Sequence, residues 1–183
     1  MAISRLPQDR WSWVEINQGA LRRNTRAFKS LLNPRQRLCC VVKADAYGHG
    51  AVACAKIMYA TGADMFAVAT VKEGIELREG GIVSPILLLS EPPAVSIDLL
   101  LEHDIMPSVY TFEFALAYGE RASQLGKIGK YHMVIETGMN RIGVHYADVI
   151  EFRRSIHFQR GIQCDGVLTH FATGDEQSSW DYK

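Results

Sequence analysis

No stretch of this sequence comes near the roughly 20 consecutive apolar residues that a helix needs to cross a bilayer. Its opening residues, MAISRLPQDRWSW, also lack the apolar centre of a secretory leader. Neither sign of charge predominates, since 20 Lys and Arg face 20 Asp and Glu. Without a basic excess there is no long-range field to gather nucleic acid or an anionic membrane, so the expected partner is a small molecule. Cysteine is scarce: four in 183 residues, none in a CxxC pair, with Cys39 and Cys40 adjacent in an apolar run where a cross-link is awkward. They read as core thiols in a reducing compartment, and the cytoplasm is the expected location. Several motifs are missing too. There is no GxGxxG after a strand and no GxxxxGK[ST], which removes the usual nucleotide handles. HExxH, a cysteine cluster and GxSxG are absent as well, so neither a metal nor a serine nucleophile is expected.

What is present is an ordinary globular balance, 48% hydrophobic and 22% charged. WVEIN at 13–17 alternates like a short strand, and QGALRRNTRAFKSLL reads as a helix stopped by Asn33 and Pro34. On that helix Leu21, Ala27, Phe28, Leu31 and Leu32 are expected on one face. Short apolar runs then alternate with helical segments: LCCVV, AVACAKIMYAT, MFAVAT, VKEGIELREGG, PILLLS, a helix around Leu99 to Leu101, IMPSVY, TFEFALAYGERASQL, YHMVIE, VIEFRRSIHFQ and GVLTHF. This rhythm predicts parallel α/β structure with about six strand–helix units and strands buried on both faces. A doubly wound open sheet can be complete at this length, whereas a TIM-type (β/α)8 barrel normally needs ~250 residues. Both closures fit the pattern. If the chain is a barrel, two strands are missing and the sequence is expected to be a fragment of something longer.

The chemistry concentrates at strand ends. In CCVVKADAYGHG, Lys43 leaves an apolar run and enters a constrained segment. A solvated or snorkelling lysine is the plain interpretation. The functional one is an amine beside apolar walls, able to condense with an aldehyde. Tyr47 is either a core aromatic or a phenol donor above Lys43. Gly48 and Gly50 permit a tight turn and lead into a helix whose first N–H groups suit an anion. His49 packs or caps as readily as it catalyses. Two further segments repeat the arrangement. YHMVIETGMNRIGV carries Arg141 past a glycine-containing turn, as a surface charge or a cationic fork over the barrel mouth. GVLTHFATGDE carries His170 at its strand end, as a core-edge imidazole or a site residue. Three polar groups at the same place on three strands weigh more than any one of them.

VVKADAYGHG closely resembles the lysine signature of the pyridoxal-phosphate-dependent alanine racemases, and ETGMNRIGV and GVLTHFATGDE resemble that family's later blocks in order and spacing. The likeness covers the whole chain. It implies a cytoplasmic homodimer that interconverts L- and D-alanine for peptidoglycan precursors, with pyridoxal 5′-phosphate as cofactor and a small amino acid as substrate. It also implies the barrel, with residues 1–17 as a leading segment whose strand joins a C-terminal β domain. Residues 18–183 then form an incomplete cofactor-binding barrel, and the C-terminal domain is absent. Carried over residue by residue, Lys43 is the Schiff-base lysine and one of two bases, Tyr47 contacts the cofactor phosphate, Arg141 meets the cofactor's phenolic oxygen and the substrate carboxylate, and His170 lies beside the pyridine ring. The opposing base and the partner of the pyridine nitrogen lie past Lys183 by the same likeness, so residues 1–183 alone are expected to be inactive. Alternatives are a racemase for another amino acid such as serine, or a barrel that binds the cofactor without racemising. There are departures: Val134 stands where many members carry a carbamylated lysine, and Glu136 replaces an aspartate, moving the carboxylate by ~1 Å.

Overall fold

The computed structural model describes residues 13–176, so residues 1–12 of the expected leading segment and the last residues of the expected barrel portion lie outside it. Residues 13–17 form no strand and join no sheet among the described residues. The first element is helix α1 (Gln18–Ser30), opened by Asn17, whose side chain accepts from Ala20 N–H at 2.9 Å. Its buried contact is Thr25, while Phe28 and Leu31 are 63% and 78% exposed. The expected apolar face is thus only partly covered. α1 packs mainly against the helix Ala51–Tyr59, with Thr25 buried and Leu21 partly buried against the main core.

After α1 come strand β1 (Cys39–Val41), a short turn α2 (Lys43–Gly48), α3 (Ala51–Tyr59), β2 (Met65–Val68), α4 (Val71–Glu79) and β3 (Ile86–Leu88). A 3-10 turn at Ala94–Ser96 leads into α5 (Ile97–Glu102), followed by β4 (Ile105–Val109), α6 (Phe112–Gln124), β5 (Gly129–Glu136), β6 (Val144–His145), α7 (Val149–Ser155) and β7 (Ile162–Leu168). Every strand pairing is parallel. The order runs β1-β2-β3-β4-β5 and continues from β5 to β7, with two-residue β6 joined to the end of β5. A doubly wound sheet reverses its strand order at a switch point. Here each strand is laid beside the one before it without reversal, which is how a barrel grows.

The two sheet faces differ accordingly. Register keeps paired residues on one side, so Cys40, Phe66, Ile86 and Ile105 point together toward the helices. There they meet Ala55, Leu77, Leu100 and Tyr118 in the main core. Burying each such large side chain contributes roughly 1.5–3 kcal/mol. The opposite face carries the row Val41, Ala67, Leu87 and Met106. Ala67, Leu87 and Met106 form a second, smaller core with Met65, Leu89 and Leu168, to which no helix among the described residues contributes. Small and medium side chains on a helix-free face are what a barrel interior holds. Of the four cysteines, all free thiols, only Cys54 is buried and Cys39 is exposed, so the expectation of core thiols holds in part.

Candidate active site

Lys43 stands one residue past the buried Val42, whose N–H donates to Ala67 O at 2.9 Å and so continues the β1–β2 ladder. The chain then turns left-handed. Ala44, Asp45, Ala46 and Tyr47 all have φ between 52° and 56°, and Ala46 N–H closes the turn on Val42 O at 2.9 Å. Four consecutive L-residues in this region are costly, roughly 1–2 kcal/mol each, so the turn must be held from outside. Asp45 Oδ1 accepts from Ala51 N–H at 2.6 Å, and Gly48 and Gly50 carry the exit at φ 84° and 89°. Glu73 holds the entry: Oε1 accepts from Ala44 N–H at 2.7 Å, and Oε2 from Ala69 and Thr70 N–H at 2.8 and 3.0 Å. This left-handed sense brings the Lys43 ammonium within 6.0 Å of the Tyr47 ring centroid. His49 is used locally, its Nδ1 at 2.8 Å from Ala46 O. Ala51 N–H, the first amide of α3, is occupied by Asp45, so that one of the N–H groups expected to suit an anion is not open.

Side chains also pin the other strand tips. Glu91 accepts from Tyr110 N–H, Thr111 N–H and Thr111 Oγ1, tying the end of β3 to that of β4. Thr169 Oγ1 donates to Ile135 O at 2.8 Å and lies 2.7 Å from Thr137 Oγ1, which joins β7 to β5. Beyond β5, Glu136 Oε1 accepts from Gly138 N–H at 2.5 Å and Asn140 N–H at 2.8 Å. Those amides, Asn140's first, hold its carboxyl below the usual carboxylate range. Gly143 closes the same loop at φ 120°, where a Cβ would stand 2.8 Å from Glu136 N. The loop delivers Arg141, which makes no hydrogen bond or ion pair with the described residues. Buried, neutral Val134 gives it no counter-charge, so its placement comes from the backbone turn that Glu136 caps.

Lys43, Tyr47, Arg141 and His170 line one pocket of about 550 Å³ at the carboxyl ends of the strands, with Val41, Leu89 and Leu168 among its apolar walls. That volume suits a small ligand. The four candidates, which follow β1, β5 and β7, are therefore brought together, although the first and last lie 127 positions apart in sequence (170 − 43). His170 lies two residues past the end of β7 rather than at its tip. Sequence reasoning missed Glu73, Thr137 and Thr169. The Thr70-x-x-Glu73 spacing marks a capping box, and the structure contains one, but nothing in that pattern points to Ala44.

A family model described as alanine racemase, N-terminal domain, matches residues 16–182. The chain belongs to this family. The alanine racemase of Carboxydothermus hydrogenoformans is 42% identical over 165 residues, covering 90% of this chain and 44% of that protein. Among solved structures, the Bacillus anthracis alanine racemase with bound L-Ala-P superposes with a TM-score of 0.87 at 33% identity, over 97% of this chain and 46% of that one. A histidine racemase from Leuconostoc mesenteroides reaches a TM-score of 0.82 at 27% identity, over 90% of this chain and 44% of that one. The chain thus spans a little under half the length of these relatives. Its seven-stranded parallel sheet is part of the (β/α)8 barrel of the alanine racemase N-terminal domain. No helix among the described residues is long and apolar enough to cross a membrane.

Proposed function

We propose that this chain is the barrel portion of a pyridoxal 5′-phosphate-dependent alanine racemase that interconverts L- and D-alanine in the cytoplasm as a homodimer. The observation that carries this reading is the convergence of an amine, a phenol, a guanidinium and an imidazole on one pocket, in a chain of this family. The donor set fits an anionic, phosphorylated aldehyde. Glu136, the carboxylate among the lining residues, already spends one oxygen on two backbone amides. Lys43 would hold the aldehyde carbon, Tyr47 the phosphate, Arg141 the phenolic oxygen and His170 one side of the ring.

When bound, the cofactor supplies an electron sink that makes the substrate α-C–H acidic. The chain's own residues supply the rest. Lys43 Nζ takes or returns the α-proton on one face, next to the Tyr47 ring. Arg141 pairs with the substrate carboxylate as a planar fork, which fixes which face the amine meets. Inversion needs a second base on the opposite face; in our reading it comes from the partner subunit's C-terminal domain.

A second reading keeps the mechanism and changes the substrate, because one solved structure resembling this chain is a histidine racemase. Both are tested by supplying the intact, cofactor-loaded protein with a panel of L-amino acids and following each by chiral chromatography. L-alanine is expected to racemise fastest, and Lys43→Ala is expected to abolish racemisation. Faster turnover of histidine or serine would move the assignment to the second reading. No turnover of any amino acid by a protein that holds the cofactor would point to a binding barrel.

A further inference from the structure

Glu73 lies in α4 and is no part of the pocket lining, yet one of its oxygens reaches the residue that follows Lys43. In a capping box the third-position carboxylate turns back to the N-cap amide. Glu73 does this with Oε2 alone, which accepts from Thr70 N–H and also from Ala69 N–H, while Thr70 Oγ1 receives Glu73 N–H at 3.2 Å. The helix start needs nothing more from this side chain. Oε1 instead crosses to α2 and takes Ala44 N–H at 2.7 Å, a bond to a residue 29 positions earlier. Ala44 is the first of the four left-handed residues, so its amide direction sets how the chain leaves Lys43. We propose that Glu73 is a positioning residue for Lys43: it fixes the start of the left-handed turn against the tip of β2, and so holds the amine where it meets an aldehyde. This rests on the reading of Lys43 given above.

The chemistry offers a clean separation. Gln fits a capping box as well as Glu does, but its amide has one acceptor oxygen, so it cannot serve the helix start and Ala44 together. Thr70→Ala does the reverse, weakening the cap and leaving Oε1 on Ala44. The test uses the intact protein, stripped of cofactor and then exposed to pyridoxal 5′-phosphate. Borohydride reduction at timed intervals and peptide mass spectrometry give the rate at which the pyridoxyl group appears on Lys43. Glu73→Gln is expected to slow that rate about tenfold, equivalent to about 1.4 kcal/mol, and to shift the absorbance band of the bound cofactor, with little change in melting temperature. Thr70→Ala is expected to lower the melting temperature and leave the labelling rate unchanged.

Equal labelling rates in wild type and Glu73→Gln would overturn the positioning role while leaving the lysine assignment intact. Absence of label on Lys43 in the wild type would remove both. Should Glu73→Gln fold poorly, hydrogen exchange on the wild-type protein decides: the exposed Ala44 amide must be protected, and rapid exchange there would overturn the proposal.

Discussion

A single carboxylate shows how the site depends on side chains that do no chemistry. Glu136 takes two backbone amides of the loop that carries Arg141, and those bonds hold its carboxyl below the ordinary carboxylate range near ~4.3. A depressed folded-state value means that protonation opposes the folded loop. The support is complete above the unfolded value and is lost as pH falls through the lowered one. Hydrogen exchange at Gly138 and Asn140, measured from pH 6 downward, is therefore expected to show protection, relative to the intrinsic rate, falling in acid. In Glu136→Ala the same two amides are expected to be unprotected at every pH. Protection that does not depend on pH or on this side chain would show that the loop stands without it. The residues of this kind were only partly legible beforehand. Lys43 announces itself where an apolar run stops, and Arg141 and His170 follow strand ends within a few residues. Thr137 and Thr169 look like any strand-end threonines until the fold sets them 2.7 Å apart across 32 positions of sequence.

At the level of the element, the alternation of buried strands and amphipathic helices was readable because solvent exclusion leaves a periodic trace in the residues. Leu77 illustrates it. It is fully buried on α4 and packs in the layer between helices and sheet. Leu77→Ala is expected to cost about 2–5 kcal/mol, read as a drop in the urea midpoint without loss of the parallel sheet. A change under 1 kcal/mol would mean that the layer closes over the gap. Two elements left no such trace. β6 is two residues long and exists through its pairing with Ile135 and Glu136, which no local pattern encodes. α2 reads as a turn because of Gly48 and Gly50, but its left-handed residues are Ala44 to Tyr47, none of them glycine. Their conformation is imposed by partners on α3 and α4, 6 and 29 positions away.

For the molecule as a whole, composition and rhythm allowed both an open sheet and a barrel. Strand order and the small helix-free core decide for the barrel, and neither can be read from local sequence, because both are facts of pairing between distant segments. The same scale governs activity. The described residues bring one amine, Lys43, to the pocket, and racemisation needs a base on each face of the α-carbon. Residues 1–183 produced by themselves are accordingly expected to give no D/L interconversion of alanine with added cofactor, checked by chiral chromatography. Appreciable racemisation by that piece would show that both bases lie within it.

The segment after Lys43 has one more consequence, concerning chirality. Ala44 and Ala46 hold backbone angles that suit the mirror-image amino acid better than the natural one. Assembling the polypeptide by chemical ligation, with the enantiomeric alanine at either place, should relieve roughly 1–2 kcal/mol of unfavourable torsion. The product should melt at a higher temperature than its all-L counterpart, whereas the same replacement in the right-handed helix at Ala55 should lower it.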